Sequence, residues 1–415
     1  MKIKVLVILF FILCISSNAE LVIKKPLKKT PTTFAIIVDQ TTYSKIPRAI
    51  DAYKEAIEND GLSTYVLIND WKNPDEIKSE ILKLYKSKTP LEGIVLLGDI
   101  PIPMIRNAQH MTSAFKIDES KSFYNSSAPS DRFYDDLDLK FSFIKQDSIH
   151  KLCFYYKLLA DSPQRVEKDI YSGRIKASVD DETKYKVIEK YLLRVVEQKK
   201  QQNPLDNMLI FTGHGYNSEA MSAWTDEHVA LREQLPQLFT PGNKLKHLNF
   251  KMSDQMKDIL MTELQDPRLD IAVFHAHGDD DRQYIVDLPN PLSNDGKLES
   301  VKFYLRSKLR AAKRRKQNVD EAKAYFMKSL KVPESWFEGA FSDSSIAADS
   351  VFEYSLDIHI NDVRSMKPEA KLMVFDECFN GSFHVSPYIA GEYVLGNGNT
   401  IAGIANTTNA LQDQW

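Results

Sequence analysis

Short apolar runs and stretches of helical period alternate along the first half of this chain. Residues 34–38 (Phe-Ala-Ile-Ile-Val) form an apolar run of strand length. Residues 46–57 repeat apolar positions at helical spacing, and 64–68 form a second strand-like run. Residues 74–85 place Ile77, Ile81 and Leu84 on one helical face, and 93–97 form a third run, ended by Gly98-Asp99-Ile100-Pro101. Strand, helix, strand, helix, strand predicts a parallel sheet with helices on its faces. Residues 102–162 are irregular and rich in Ser, Asp and Tyr, which predicts surface loops and short strands; 169–175 predicts another strand and 184–201 a long amphipathic helix.

The rhythm restarts after Pro204. Strands are predicted at 207–211, 271–274, 372–375 and 400–405, with a helix at 254–264. The expected organisation is an N-terminal α/β subdomain over 34–203 and a second over 204–415, two side-by-side parallel-sheet subdomains with flanking helices. A helical, basic insertion over about 297–335 interrupts the second. No internal repeat or low-complexity tract is visible.

The N-terminus adds an address. Lys2 and Lys4 precede the apolar run 5–15, and Ser17-Asn18-Ala19 offers small residues for cleavage, so 1–19 reads as a secretory signal and 20–33 as a basic linker. The alternatives are a buried first element or a lipoprotein signal at Cys14. With 43% hydrophobic and 27% charged residues and a net charge of -3, the 415 residues give no reason to expect nucleic acid or an anionic membrane as partner. Of three cysteines, removal of the signal leaves Cys153 and Cys378. Two cysteines make no disulfide framework, and Cys378 stands near Gly381, so it reads as a reactive thiol; pairing with Cys153 is the alternative.

Ligands of open α/β sheets gather beyond the carboxyl ends of the strands. One apolar strand ends in His275-Ala276-His277-Gly278, another in Asp376-Glu377-Cys378-Phe379-Asn380-Gly381. If they are neighbours, an imidazole and a thiol meet at one sheet edge. The thiol needs such a partner because the thiolate is the nucleophile. Glycine beside each allows close approach of a substrate backbone and of a main-chain N–H to an oxyanion. His214-Gly215 also follows an apolar strand and competes for the role of base.

These residues resemble the caspase–gingipain–legumain group, and gingipain-like cysteine peptidases most. The resemblance rests on 374–383 (Val-Phe-Asp-Glu-Cys-Phe-Asn-Gly-Ser-Phe), on Ile404-Ala405-Asn406-Thr407-Thr408-Asn409 followed by Trp415, and upstream on 96–101, 130–134 and 170–174. It implies a caspase-like second subdomain and hydrolysis of peptide bonds, with Cys378 as nucleophile and His277 as base and acid. It implies the N–H groups of Gly278 and Cys378 as oxyanion donors, and His214, Asp226, Asn406 and Trp415 along the substrate. The partners would be protein or peptide substrates. No cofactor is needed for the chemistry, while structural calcium, with no ligands named, fits the family. The chain departs from the pattern in its long insertion and in Asp279-Asp280-Asp281 after His277-Gly278. The family's catalytic domain would also continue beyond Trp415.

Two other readings stand beside this one. His275, His277 and Asp279 could form a metal-ligand cluster of a hydrolase, since alternate residues beyond a strand can converge on one ion. A non-catalytic caspase-like binding domain would follow if Cys378 and His277 stood far apart. In the insertion, the basic run from Lys308 to Lys316 reads either as a solvated helix face or as an exposed segment that a protease preferring basic residues could cut in itself.

Overall fold

The computed structural model describes residues 20–106, 118–213, 232–233, 236–239, 244–286 and 298–409. The expected signal segment and His214, Asp226 and Trp415 lie outside them. In the first half the strands are β1 (Val22–Lys24), β2 (Thr33–Asp39), β3 (Ser63–Asn69), β4 (Leu91–Leu97), β5 (Ile102–Arg106), β6 (Ala128–Pro129), β7 (Phe141–Gln146), β8 (Cys153–Leu158) and β9 (Tyr171–Ile175). Five of them form one sheet in the order β1-β3-β2-β4-β9, parallel except for β1. The expected linker thus contributes an edge strand, tied down by Lys24 Nζ donating to Asp51 at 2.7 Å.

The central strands β2, β3 and β4 are buried on both faces because helices cover both. Ile36 and Val38 point into one core with the helices Pro47–Asn59 and Thr183–Gln198, while Ala35 and Ile37 point into the other with Pro74–Tyr85. Asn73 caps the last of these helices, accepting from Glu76 N at 3.0 Å, with Pro74 in the first turn. Asp39 ends β2 by accepting from Thr42 N and Asp99 N, each at 2.8 Å. The short strands expected in 102–162 pair into a mixed sheet, β6-β5-β8-β7, and the expected surface exposure is corrected, since Met104, Tyr155 and Tyr156 are fully buried.

The second half adds β10 (Asn207–Thr212), β11 (Lys244–Asn249), β12 (Ile271–His275), β13 (His277–Asp279), β14 (Arg282–Tyr284), β15 (Ile358–His359), β16 (Leu372–Asp376) and β17 (Ala402–Ala405). Its main sheet is wholly parallel, in the order β11-β10-β12-β16-β17. Both halves therefore wind their parallel strands in one order, second-first-third-fourth: β3-β2-β4-β9 and β11-β10-β12-β16. β13, β14 and β15 form a small antiparallel sheet beside the second.

The helix Ile389–Leu395 joins the halves. Ile389 and Tyr393 belong to the second core and Leu395 to the first. Arg194, from Thr183–Gln198, reaches the end of this helix. It donates to Gly396 O at 2.8 Å, Gly398 O at 2.7 Å and Val394 O, and so satisfies carbonyls a helix end leaves open. At the helix start, the Tyr388 hydroxyl donates to Lys176 O at 2.9 Å and Tyr388 N donates to Ser178 Oγ at 2.9 Å.

The insertion is two helices, Leu298–Arg314 and Val319–Leu330, with a core of their own that includes Val301, Leu305, Leu309 and Phe337. The helix Asp343–Leu356 leads back. The basic run is divided: Arg310, with Arg306, clasps the buried Asp349, at 2.8 and 2.5 Å. The exposed part is 313–316, ending at Lys316, whose φ of 57° closes the helix.

Two expectations follow. Arg194→Met leaves three carbonyls without their donor and is expected to destabilise the protein by roughly 3 kcal/mol, read as a fall in the denaturant midpoint and a split of one unfolding transition into two. Asp357, where the insertion returns, accepts from Ile285 N at 3.1 Å, and burial pushes its carboxyl up to about 7. A folded value above the unfolded one gives a contribution that is complete below about pH 4 and lost as pH rises through 7. Asp357→Asn should therefore be more stable than the parent at pH 8, by on the order of 2 kcal/mol, and indistinguishable at pH 4, by urea denaturation at the two pH values.

Candidate active site

The site grows from one strand pair. β12 and β16 are direct parallel neighbours, with Phe274 opposite Phe375 and His275 opposite Asp376. The two phenylalanine rings stack, centroids 5.4 Å apart and planes at 9°, under the carboxyl edge of the sheet. One step on, His275 Nδ1 lies 3.2 Å from Asp376 Oδ2, both side chains buried. Because the strands advance in step, His277 and Cys378 each stand two residues beyond this pair, at the same edge. Both are half-buried.

At His277 the chain leaves the sheet and turns into the β13–β14 hairpin, in which Gly278 stands opposite Gln283. At Cys378 it turns sharply: Phe379 takes a positive φ of 59°, a region that residues with a Cβ seldom occupy. Phe379 N donates to Thr408 O at 3.1 Å and Gly381 N to Asn406 O at 2.9 Å, which fixes this turn against the segment after β17.

The hairpin and the cysteine turn touch. A Cβ on Gly278 would lie 2.6 Å from Asn380 Nδ2 and 2.7 Å from Cys378 O, so only glycine allows this approach. Asn380 Nδ2 donates to Asp279 O at 2.6 Å and Arg282 O at 3.1 Å. Behind it, Gln283 Nε2 donates to both oxygens of Glu377, at 2.9 and 3.2 Å, and the Tyr393 hydroxyl donates to Gln283 Oε1 at 2.6 Å. All three side chains are buried. Burial raises the Glu377 carboxyl well above the usual carboxylate range, against the opposing effect of the Gln283 hydrogen bond.

Cys378, His277 and Gly278 are thus brought together. Asn406 is beside them, but its amide Nδ2 donates to Glu377 O at 3.2 Å and Phe375 O at 3.4 Å, so it holds the strand end as well as facing the adjoining cavity. That cavity, about 680 Å³, lies between the edge strands β9 and β17 and reaches Gly381, Phe383 and Asn406. His275 was a candidate metal ligand; it is instead buried against Asp376. Among the described residues no three His, Cys, Asp or Glu side chains assemble as a metal-ligand set. His214, Asp226 and Trp415 lie outside the described residues. Gln283, Glu377 and Asn380 had no assigned role in the sequence; a polar residue bordering an apolar strand end was their only signal.

No disulfide joins Cys153 and Cys378. Cys153 is buried in β8, and burial pushes its thiol up to about 12. The chain matches no protein-family model, no curated protein and no solved structure.

At pH 8 the thiolate fraction of Cys153 is on the order of a thousandfold below that of an ordinary thiol. Iodoacetamide on the native protein is expected to alkylate Cys378 within minutes and Cys153 only after unfolding, read by peptide mass spectrometry. Equal labelling of both would contradict the described burial.

Proposed function

We propose that the protein is an exported cysteine endopeptidase with a caspase-like catalytic half, in which Cys378 is the nucleophile and His277 the general base and acid. The observation that supports this reading is the register of β12 and β16, which ends both strands in step at one sheet edge, two residues before His277 and Cys378. The close approach of Gly278 to the cysteine turn supports the same reading.

In the proposed reaction His277 takes the Cys378 thiol proton. The thiolate attacks the scissile carbonyl carbon, and the carbonyl π electrons move to oxygen. The N–H groups of Cys378 and Gly278 stabilise that oxyanion. The C–N bond then breaks, and His277 returns its proton to the leaving amine. Water, deprotonated by His277, attacks the resulting thioester; the C–S bond breaks, the acid product departs, and His277 returns the proton to the regenerated Cys378 thiolate. The cavity that reaches Gly381, Phe383 and Asn406 borders the cysteine turn, although neither Cys378 nor His277 lines it. Basic side chains at the cleaved position, and structural calcium, stay part of the proposal on the family resemblance alone.

Cys378→Ala and His277→Ala are each expected to lower peptide hydrolysis on the order of a thousandfold or more, with stability within about 1 kcal/mol of the parent. Cys153→Ala should retain activity. The readout is a fluorogenic peptide panel with basic, acidic and apolar residues at the cleaved position, with denaturation curves alongside. Undiminished hydrolysis in Cys378→Ala, or an inactive His214→Ala beside an active His277→Ala, would sink the assignment.

A further inference from the structure

The side chains that join the histidine hairpin to the cysteine turn form a continuous line that does not end at the site. It starts at Glu377, the residue before the nucleophile, passes to Gln283 opposite Gly278, and from there to Tyr393. Tyr393 sits on the helix Ile389–Leu395, which Arg194 and Tyr388 seat on the first half. We propose that Gln283 is a positioning residue that holds the hairpin carrying His277 against the turn carrying Cys378, and that Tyr393 references this spacing to the helix shared by both halves. The proposal rests on the peptidase reading for its catalytic consequence, and on geometry alone for the clamp.

Three features favour the clamp. β13 and β14 are three residues each, too short to hold a hairpin in place by their own ladder. β14 pairs on its other side with β15, Arg282 opposite His359 and Gln283 opposite Ile358, so the ladder ties the outer edge of the hairpin and leaves the Cys378 side to side chains. Gln283 is the one side chain of the hairpin that is completely buried, and it uses its donors downward on Glu377 and its acceptor on Tyr393. Asn380 holds the other end of the hairpin through Asp279 O and Arg282 O. With Ile389 N donating to Asp280 O at 2.8 Å and Ile360 N to Asp281 O at 3.3 Å, the turn is held from the backbone as well, and Gln283 holds the middle. A glutamine suits the middle place because it donates and accepts at once. Glu377 accepts there from Gln283 Nε2 through both of its oxygens, and burial raises its carboxyl well above the usual carboxylate range.

The test compares the parent with Gln283→Leu, which keeps volume and loses every hydrogen bond, with Tyr393→Phe, which loses one, and with Glu377→Gln, which retains a partner for Gln283. Two readouts are independent. Amide hydrogen exchange of peptides covering 277–284 reports the clamp without catalysis. The pH midpoint of Cys378 alkylation, with kcat and KM on a fluorogenic peptide, reports its consequence. Gln283→Leu is expected to accelerate hairpin exchange roughly tenfold, what one buried hydrogen bond is worth, to raise the alkylation midpoint, and to lower kcat far more than it changes KM. Tyr393→Phe should fall between it and the parent, and Glu377→Gln near the parent. Parent-like exchange in both Gln283→Leu and Tyr393→Phe overturns the clamp. If Gln283→Leu does not fold, Tyr393→Phe decides by the same exchange measurement. A parent that neither hydrolyses peptides nor shows a lowered Cys378 midpoint sinks the peptidase reading instead, and leaves the exchange result to judge the clamp by itself.

Discussion

The in-step pairing of β12 with β16 is the constraint on which the rest of the site depends. A parallel ladder fixes which residue lies beside which, and a slip of one residue would reverse the facing of every side chain on the moving strand. Here the slip is blocked from two sides. Apolar residues alternate between two separate cores, and the stacked Phe274–Phe375 pair and the buried His275–Asp376 contact match only in the observed register. Everything catalytic in the proposed reading is two residues past that lock, where the chain has left the sheet but has not yet gained freedom.

Beyond the ladder, the geometry passes from repeating backbone bonds to single side chains. Phe379 accepts an unfavourable φ because Thr408 O and Asn406 O hold the turn on both sides of it. Asn380, Gln283 and Tyr393 replace the missing length of the hairpin. Such isolated contacts are individually small, so their value lies in direction rather than in strength. They turn a short excursion of chain into a surface of defined tilt.

The parallel strands were legible because burial on both faces leaves uninterrupted apolar runs, as at Ile36-Ile37-Val38 and Ile271-Ala272-Val273-Phe274. The positions of His277 and Cys378 followed from the ends of two such runs. β1 was not legible, since a three-residue edge strand with Lys24 in it looks like any basic linker. The sheet β6-β5-β8-β7 was hidden by its tyrosines: Tyr155 and Tyr156 are fully buried yet find partners in Asp147 and Asp75, a pairing that no local pattern announces. Asn406 shows a similar limit, because its neighbour in space, Glu377 O, is far along the chain. A residue type that fits a substrate equally fits a strand end.

The common winding of the two halves bears on where each sheet can hold a ligand. Equal strand order gives each sheet the same kind of crevice, where the order of strands reverses at the carboxyl edge. In the first half Asp39 closes that crevice from within, accepting from Thr42 N and Asp99 N, while the second half leaves its edge to His277 and Cys378. The same winding thus ends differently: the first half sets a carboxylate of its own strand end there, and the second sets the histidine and cysteine segments beyond β12 and β16.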